Sequence, residues 1–116
     1  MKFLIILNDP PYGTERSYNA LRLAISLSKQ IGAELRVFLM ADSIGSGKSG
    51  QKTPNGYYNM ERMIKSLVLA KVPIGVCGSC IDARGVAENE LLEGVHRSSM
   101  EELTDWTLWA DKVVVF

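Results

Sequence analysis

The sequence predicts one α/β domain, three layers deep, with a mainly parallel five-stranded sheet between two layers of helices. Three features carry that expectation. Strand-like and helix-like segments alternate along the whole chain, the order that builds parallel sheets through right-handed crossovers. The first segment, Lys2 to Leu7, is almost continuously apolar, as strands buried on both faces are. A length of 116 residues, 47% of them apolar, is enough to close one core without disulfides or metals. No internal repeat divides the chain, so residues 1–116 are taken as a single domain.

The elements follow in order. After the first strand comes the turn Pro10-Pro11-Tyr12-Gly13, and Thr14 is placed to cap a helix bearing Tyr18, Leu21, Ile25, Ser28 and Ile31 at helical spacing until Gly32. Leu35 to Met40 reads as the second strand. Ser43 to Gly56 is rich in glycine and poor in apolar residues, which predicts a long exposed loop. Met60, Met63, Ile64, Leu67 and the stem of Lys71 fall at intervals of three and four, giving a second amphipathic helix that ends before Pro73. Ile74-Gly75-Val76-Cys77 is the third strand. A short helix is expected from about Ser79 to Arg84, ended by Gly85, and then an irregular acidic stretch through Glu93. Val95-His96 is the fourth strand. Ser98 and Ser99, each with a glutamate three residues later, offer overlapping capping boxes for a helix that turns Met100, Leu103, Trp106 and Ala110 inward. Lys112 to Phe116 is the fifth strand.

Composition narrows the function. Lys plus Arg and Asp plus Glu both number 13, so no net field draws the chain to nucleic acid or to an anionic membrane. The apolar amino-terminal run stops at Asn8-Asp9-Pro10, shorter than the roughly 7 to 15 residues of a signal core and far short of the about 20 that span a bilayer. A cytoplasmic protein is expected, with no membrane and no nucleic acid partner. Gly45-Ser46-Gly47-Lys48-Ser49 resembles the tail of a phosphate-binding loop, but Asp42 stands where the pattern requires glycine and no helix follows at once.

The chemistry concentrates in Cys77 and Cys80. In a reducing cytosol two cysteines three apart point to redox, sulfur-handling or metal chemistry rather than a structural staple. Ligands of parallel sheets sit beyond the carboxyl ends of strands, where Cys77 falls after the third strand and Asn8 after the first. A thiol works as a nucleophile only as thiolate, and a helix amino terminus beside Cys77 would favour that form. Arg84 could add positive charge if the turn folds back, and Cys80, one helical turn away, could act as resolving thiol. A closed zinc site needs four ligands, whereas the chain offers two cysteines and the single His96; no metal and no cofactor are expected.

Taken together, Pro11-Tyr12-Gly13, Asn19 to Ala24, Phe38-Leu39-Met40, Gly50-Gln51-Lys52, Val72-Pro73, Cys77-x-x-Cys80-x-Asp82-x-Arg84-Gly85, Trp106-Thr107-Leu108 and Ala110 to Val113 resemble the DsrE/DsrF-like family of small sulfur-relay proteins, and most closely its YchN-type branch. The resemblance implies a flavodoxin-like topology, assembly into homo-trimers or hexamers, and partners that donate and accept sulfur. It implies that Cys77 accepts sulfur as a persulfide and passes it on. Arg84, with Asn8 and Asp82 as anion- or substrate-binding residues, would steady the anionic sulfur. Cys80 departs from the relay pattern, in which the working cysteine has no partner three residues on; it could resolve a persulfide, sense redox state or bind metal. The other reading is a non-catalytic oligomeric protein that binds a small anion, nucleotide or metal, with the cysteines as ligands. Tyr57, Tyr58, Met60 and Met63 would supply an interface between copies.

Overall fold

A computed structural model describes all 116 residues. Strand β1 (Lys2–Leu7) leads to helix α1 (Arg16–Ser28), β2 (Glu34–Leu39), a 3-10 segment (Ala41–Gly47) and α2 (Met60–Leu69). Then follow β3 (Ile74–Cys77), α3 (Gly78–Ala83), a 3-10 turn (Glu88–Glu90), β4 (His96–Ser98), α4 (Met100–Trp109) and β5 (Lys112–Val115). All five strands join one sheet in the order β4-β3-β2-β1-β5, and every ladder in it is parallel. The expected class holds, with helices on both sides of a parallel sheet.

The strand order differs from the 2-1-3-4-5 arrangement of flavodoxin. Here β1 to β4 are laid down in one direction, and only β5 crosses back to the far side of β1. Right-handed crossovers therefore put α1, α2 and α3 on one face and leave α4 on the other. Strand alternation fits this division. Ile5, Leu7, Val37, Leu39, Ile74 and Val76 pack with Ala20, Leu21 and Ala24 of α1 and with Met60, Ile64 and Leu67 of α2. Leu4, Phe38 and Cys77 pack with Leu103 and Trp106 of α4. The chain thus leaves β3 toward one face and β4 toward the other, which opens a crevice between their carboxyl ends.

Several local expectations are corrected. Thr14 does not cap α1: its hydroxyl donates to Asp9 Oδ2 at 3.0 Å, and the cap position, Glu15, makes no side-chain bond. Lys71 lies past the end of α2, exposed, with a left-handed φ of 62°. At α4 the two serines divide the capping work. Ser99 Oγ accepts from the Glu102 N–H at 3.2 Å, and Ser98 Oγ donates to the Glu102 carboxylate at 2.6 Å. The fourth strand runs one residue later than read, because its partners in β3 align Gly75, Val76 and Cys77 with His96, Arg97 and Ser98.

The largest correction concerns Ser43 to Gly56. Its first part is not an exposed loop: Ser43, Ile44, Ser46 and Gly47 are buried within the 3-10 segment. The glycines there serve close packing, since a Cβ on Gly45 would meet Pro11 at 3.2 Å and one on Gly47 would meet Leu39 at 3.3 Å. Gln51 fastens the rest, its Nε2 donating to the carbonyls of Gly45, Ser46 and Lys48 at 2.9 to 3.2 Å. Of the four expected interface residues, two are used internally, whereas Tyr57 is 69% exposed and Met63 half-buried. Met60 is fully buried, and Tyr58 stacks on Tyr12 and Tyr18 at 5.7 and 4.2 Å.

Candidate functional site

Cys77 is the last residue of β3 and the cap position of α3. It is there because β3 has only four residues, all buried, and Gly78 lets the chain turn at once into a helix under a crowded neighbour. A Cβ at Gly78 would lie 2.9 Å from both Arg97 Nε and the Ser98 carbonyl oxygen. The Cys77 side chain is 8% exposed and packs on Phe38 and Leu103. It also lines a cavity of about 410 Å³ together with Phe38, Met40, Arg97, Ser98 and Met100. This cavity lies in the crevice between β3 and β4, where the topology places a ligand site.

Both cysteines are free thiols, and their environments push them in opposite directions. Burial raises the Cys77 thiol, but hydrogen bonding from Cys80 and the Ser79 hydroxyl, 3.4 Å away, together with the N–H groups of Cys80 and Ser79, outweighs burial and holds it below the ordinary thiol value. Cys80 is raised, first by burial and then by its hydrogen bond to Cys77 and the negative charge Cys77 carries; the Ala41 N–H and Arg84 oppose this. The thiolate form is therefore favoured at Cys77 over Cys80. Two neighbouring thiols driven apart by their surroundings, one of them lining a cavity, mark a candidate site for chemistry.

Cys80 is held from outside its own helix. The N–H of Ala41 donates to its Sγ at 3.2 Å, and Ala41 adopts a left-handed φ of 49°, a conformation costly for a residue with a Cβ. Arg84 does fold back, but onto the next residue: its Nε and Nη2 donate to Asp42 Oδ1 at 3.0 and 2.9 Å, and its Nη1 donates to the Cys80 carbonyl at 3.2 Å. Arg84 therefore ties α3 to the 3-10 segment beside Cys80.

The remaining expected residues divide. Asp82 is on α3 and receives a two-pronged pair from Arg97, with Nη1 on Oδ1 at 2.8 Å and Nη2 on Oδ2 at 2.7 Å; that guanidinium is what lowers its carboxyl. Asn8 stands apart, its Nδ2 donating to the Phe116 carbonyl at 3.1 Å and its side chain absent from the cavity lining. His96 faces Glu102, which also accepts from Ser98. No group of three or more His, Cys, Asp or Glu side chains is arranged to hold a metal ion, and no helix is long and apolar enough to cross a membrane.

The residue that the sequence did not single out is Arg97. It reaches the site through the pairing of β4 with β3, a contact between segments 21 residues apart in the register Val76 with Arg97. Its only sequence signal is a basic residue immediately ahead of the Ser98-Ser99 cap.

The sequence and the fold have counterparts among known proteins. Protein YchN of Escherichia coli is 43% identical over 116 residues, covering 99% of this chain and 98% of that protein. The crystal structure of the E. coli ychN protein superposes with a TM-score of 0.93 at the same identity, covering 99% of this chain and 98% of that one. A Haemophilus influenzae protein named a sulfurtransferase TusD homolog is 24% identical over 124 residues, covering 98% of each chain. The model of the DsrE/DsrF-like family matches residues 1–116, and the chain is a member of that family.

Proposed function

We propose that the protein is a sulfur carrier that takes sulfane sulfur on Cys77 as a persulfide and passes it to an acceptor protein. The observation that carries this reading is the cysteine pair itself: Cys77, on the wall of a cavity, is held below the ordinary thiol value, and Cys80, three residues on, is pushed above it. Family membership and the distant TusD homolog support the same assignment.

Loading is thiolate attack on the outer sulfur of a donor persulfide: Cys77–S⁻ plus R–S–S–H gives Cys77–S–S–H plus R–S⁻. The persulfide proton is readily lost, leaving an anion. Unloading to an acceptor thiolate is the same step in reverse sense, with attack on the outer sulfur and return of Cys77 as thiolate, so no net electrons are needed. Cys80 provides a second exit. As thiolate it attacks the inner sulfur, forms the Cys77–Cys80 disulfide and releases HS⁻; the two thiols are oxidised, the sulfane sulfur is reduced, and an external dithiol must restore the pair. Its raised pKa keeps this exit slow at neutral pH. Asp42–Arg84 and the Ala41 N–H hold Cys80 in place.

The test is intact mass after incubation with a sulfane donor. Wild type and Cys80→Ser should gain the mass of one sulfur atom, and Cys77→Ser should gain none. Equal gain by Cys77→Ser would end the assignment.

Assembly into a homo-oligomer, trimer or hexamer, belongs to the same proposal, on a different surface from the one the sequence suggested. Val113 and Val115, 41% and 61% exposed, align with Leu4 and Ile6 on the α4 side of β5, and they form an apolar edge that a second copy would cover. Val115→Asp should lower the mass in solution to that of one chain; a wild-type protein already monomeric at micromolar concentration would remove the oligomer from the proposal.

A further inference from the structure

Arg97 is held on several sides. Asp82 takes both terminal nitrogens at 2.7 and 2.8 Å, Glu88 Oε1 lies 3.8 Å from Nε, and the bare Cα of Gly78 leaves room for the guanidinium where a Cβ would stand 3.0 Å from Cζ. Three residues on two elements thus fix the side chain at the amino end of α3, next in sequence to Cys77. Arg97 is the only Asp, Glu, Lys, Arg or His among the residues lining the cavity.

We propose that Arg97 is the cation that stabilises the anionic sulfur on Cys77, as thiolate and as persulfide, and that it makes the cavity select anionic sulfane-sulfur compounds over neutral ones. Asp82 is its positioning residue. The proposal rests on the sulfur-carrier reading for the identity of the cargo, but Arg97's effect on Cys77 can be read without any sulfur transfer.

The other charges around Cys77 are accounted for. Asp82 and Glu88 flank Arg97 and offset part of its charge, yet neither lines the cavity. Arg84 is engaged by Asp42 beyond Cys80. On the α4 side, His96 and Glu102 pair with each other. Burial pushes the Cys80 thiol up, which favours its uncharged form. The Cys77 charge helps raise Arg97, behind the Asp82 and Glu88 contributions, while the leading causes that lower Cys77 are its hydrogen bonds from Cys80 and Ser79. The Arg97 side chain is 39% exposed, so its attraction for anionic sulfur is partly screened by solvent and should weaken as salt is raised.

The experiment compares alkylation of Cys77 by iodoacetate, an anion, and by iodoacetamide, its neutral analogue, scored at the Cys77 peptide by mass spectrometry across pH. In wild type the iodoacetate-to-iodoacetamide rate ratio should fall as salt is raised. Arg97→Gln should reduce the ratio several-fold, abolish most of its salt dependence and move the pH inflection of Cys77 upward, whereas Arg97→Lys should keep most of the ratio. Thermal unfolding identifies a variant that has lost its fold, and the wild-type salt series then stands alone as the test. An unchanged ratio and inflection in folded Arg97→Gln, or a wild-type ratio indifferent to salt, would overturn the proposal. A wild type that responds to Arg97 in this way yet never gains sulfur would uphold Arg97 and remove the carrier function instead.

Discussion

The two faces of the sheet are built for different ends. On the face of α1 and α2, 17 buried residues form one continuous core. On the face of α4, only five do, and around them lie the cavity, the cysteine pair, Arg97 and the open valines of β5. Three helices and the 3-10 segment close the first face; one helix cannot cover the same width of sheet on the second. Closure on one side gives the fold its stability, and incomplete closure on the other leaves space where a strand end, a helix start and a charged neighbour meet.

If this division is right, damage to the closed face should cost stability and leave chemistry alone. Ile64 is fully buried between α2 and the sheet, so Ile64→Ala should lower unfolding free energy by about 2 to 5 kcal/mol through lost burial and a residual cavity. Denaturant unfolding measures it. The pH profile of Cys77 alkylation in the still-folded variant should match wild type, and a shifted profile would show that the two faces are coupled.

Gly78→Ala sharpens the comparison at the boundary. The added methyl must displace Arg97 or the Ser98 carbonyl, at a cost of about 1 to 3 kcal/mol for overpacking. Its larger consequence should be chemical, with slower alkylation of Cys77 at neutral pH as the guanidinium is pushed away. Unaltered Cys77 reactivity would mean that the seat of Arg97 is immaterial.

The smallest effect is expected from acid. Burial raises the Glu102 carboxyl, but hydrogen bonds from Ser98 and His96, with the charges of His96 and Arg36, hold it below the usual carboxylate range. A folded value below the unfolded one means that this stabilisation is present above the unfolded carboxylate pKa and is lost as pH falls through the folded one. Glu102→Gln should therefore lower stability modestly at neutral pH and flatten that part of the acid limb, so that the variant and wild type converge as pH falls. An acid limb identical to wild type would remove Glu102 from the account.

The closed face and the strand carrying Cys77 were legible in the sequence because both rest on local pattern. Continuous apolar runs gave β1 to β3, three-and-four spacing gave Met60, Ile64 and Leu67 of α2, and the break after Cys77 marked the strand end. What the pattern could not give depends on contacts distant in sequence. The burial of Ser43 to Gly47 comes from small residues packing on Pro11 and Leu39, and glycine-rich sequence otherwise reads as a loop. Tyr58 looked like free aromatic surface because its partners, Tyr12 and Tyr18, lie some 40 residues upstream. Arg97 sits in a three-residue strand, too short for any periodicity, and only the β3–β4 pairing brings it to the cysteine. Asn8 was placed by its strand end, but the crevice opens two strands away because the crossover reverses after β4 rather than near β1.

The central claim, that Cys77 is the residue loaded with sulfur, is tested most directly by locating the sulfur. Wild-type protein would be exposed to a sulfane donor, its persulfide trapped with an alkylating agent, and the peptide carrying Cys77 and Cys80 sequenced by mass spectrometry. The account predicts the extra sulfur on Cys77, with the Cys77–Cys80 disulfide accumulating only later or at alkaline pH as Cys80 ionises. Sulfur found first on Cys80, or a disulfide formed with no persulfide preceding it, would contradict the account.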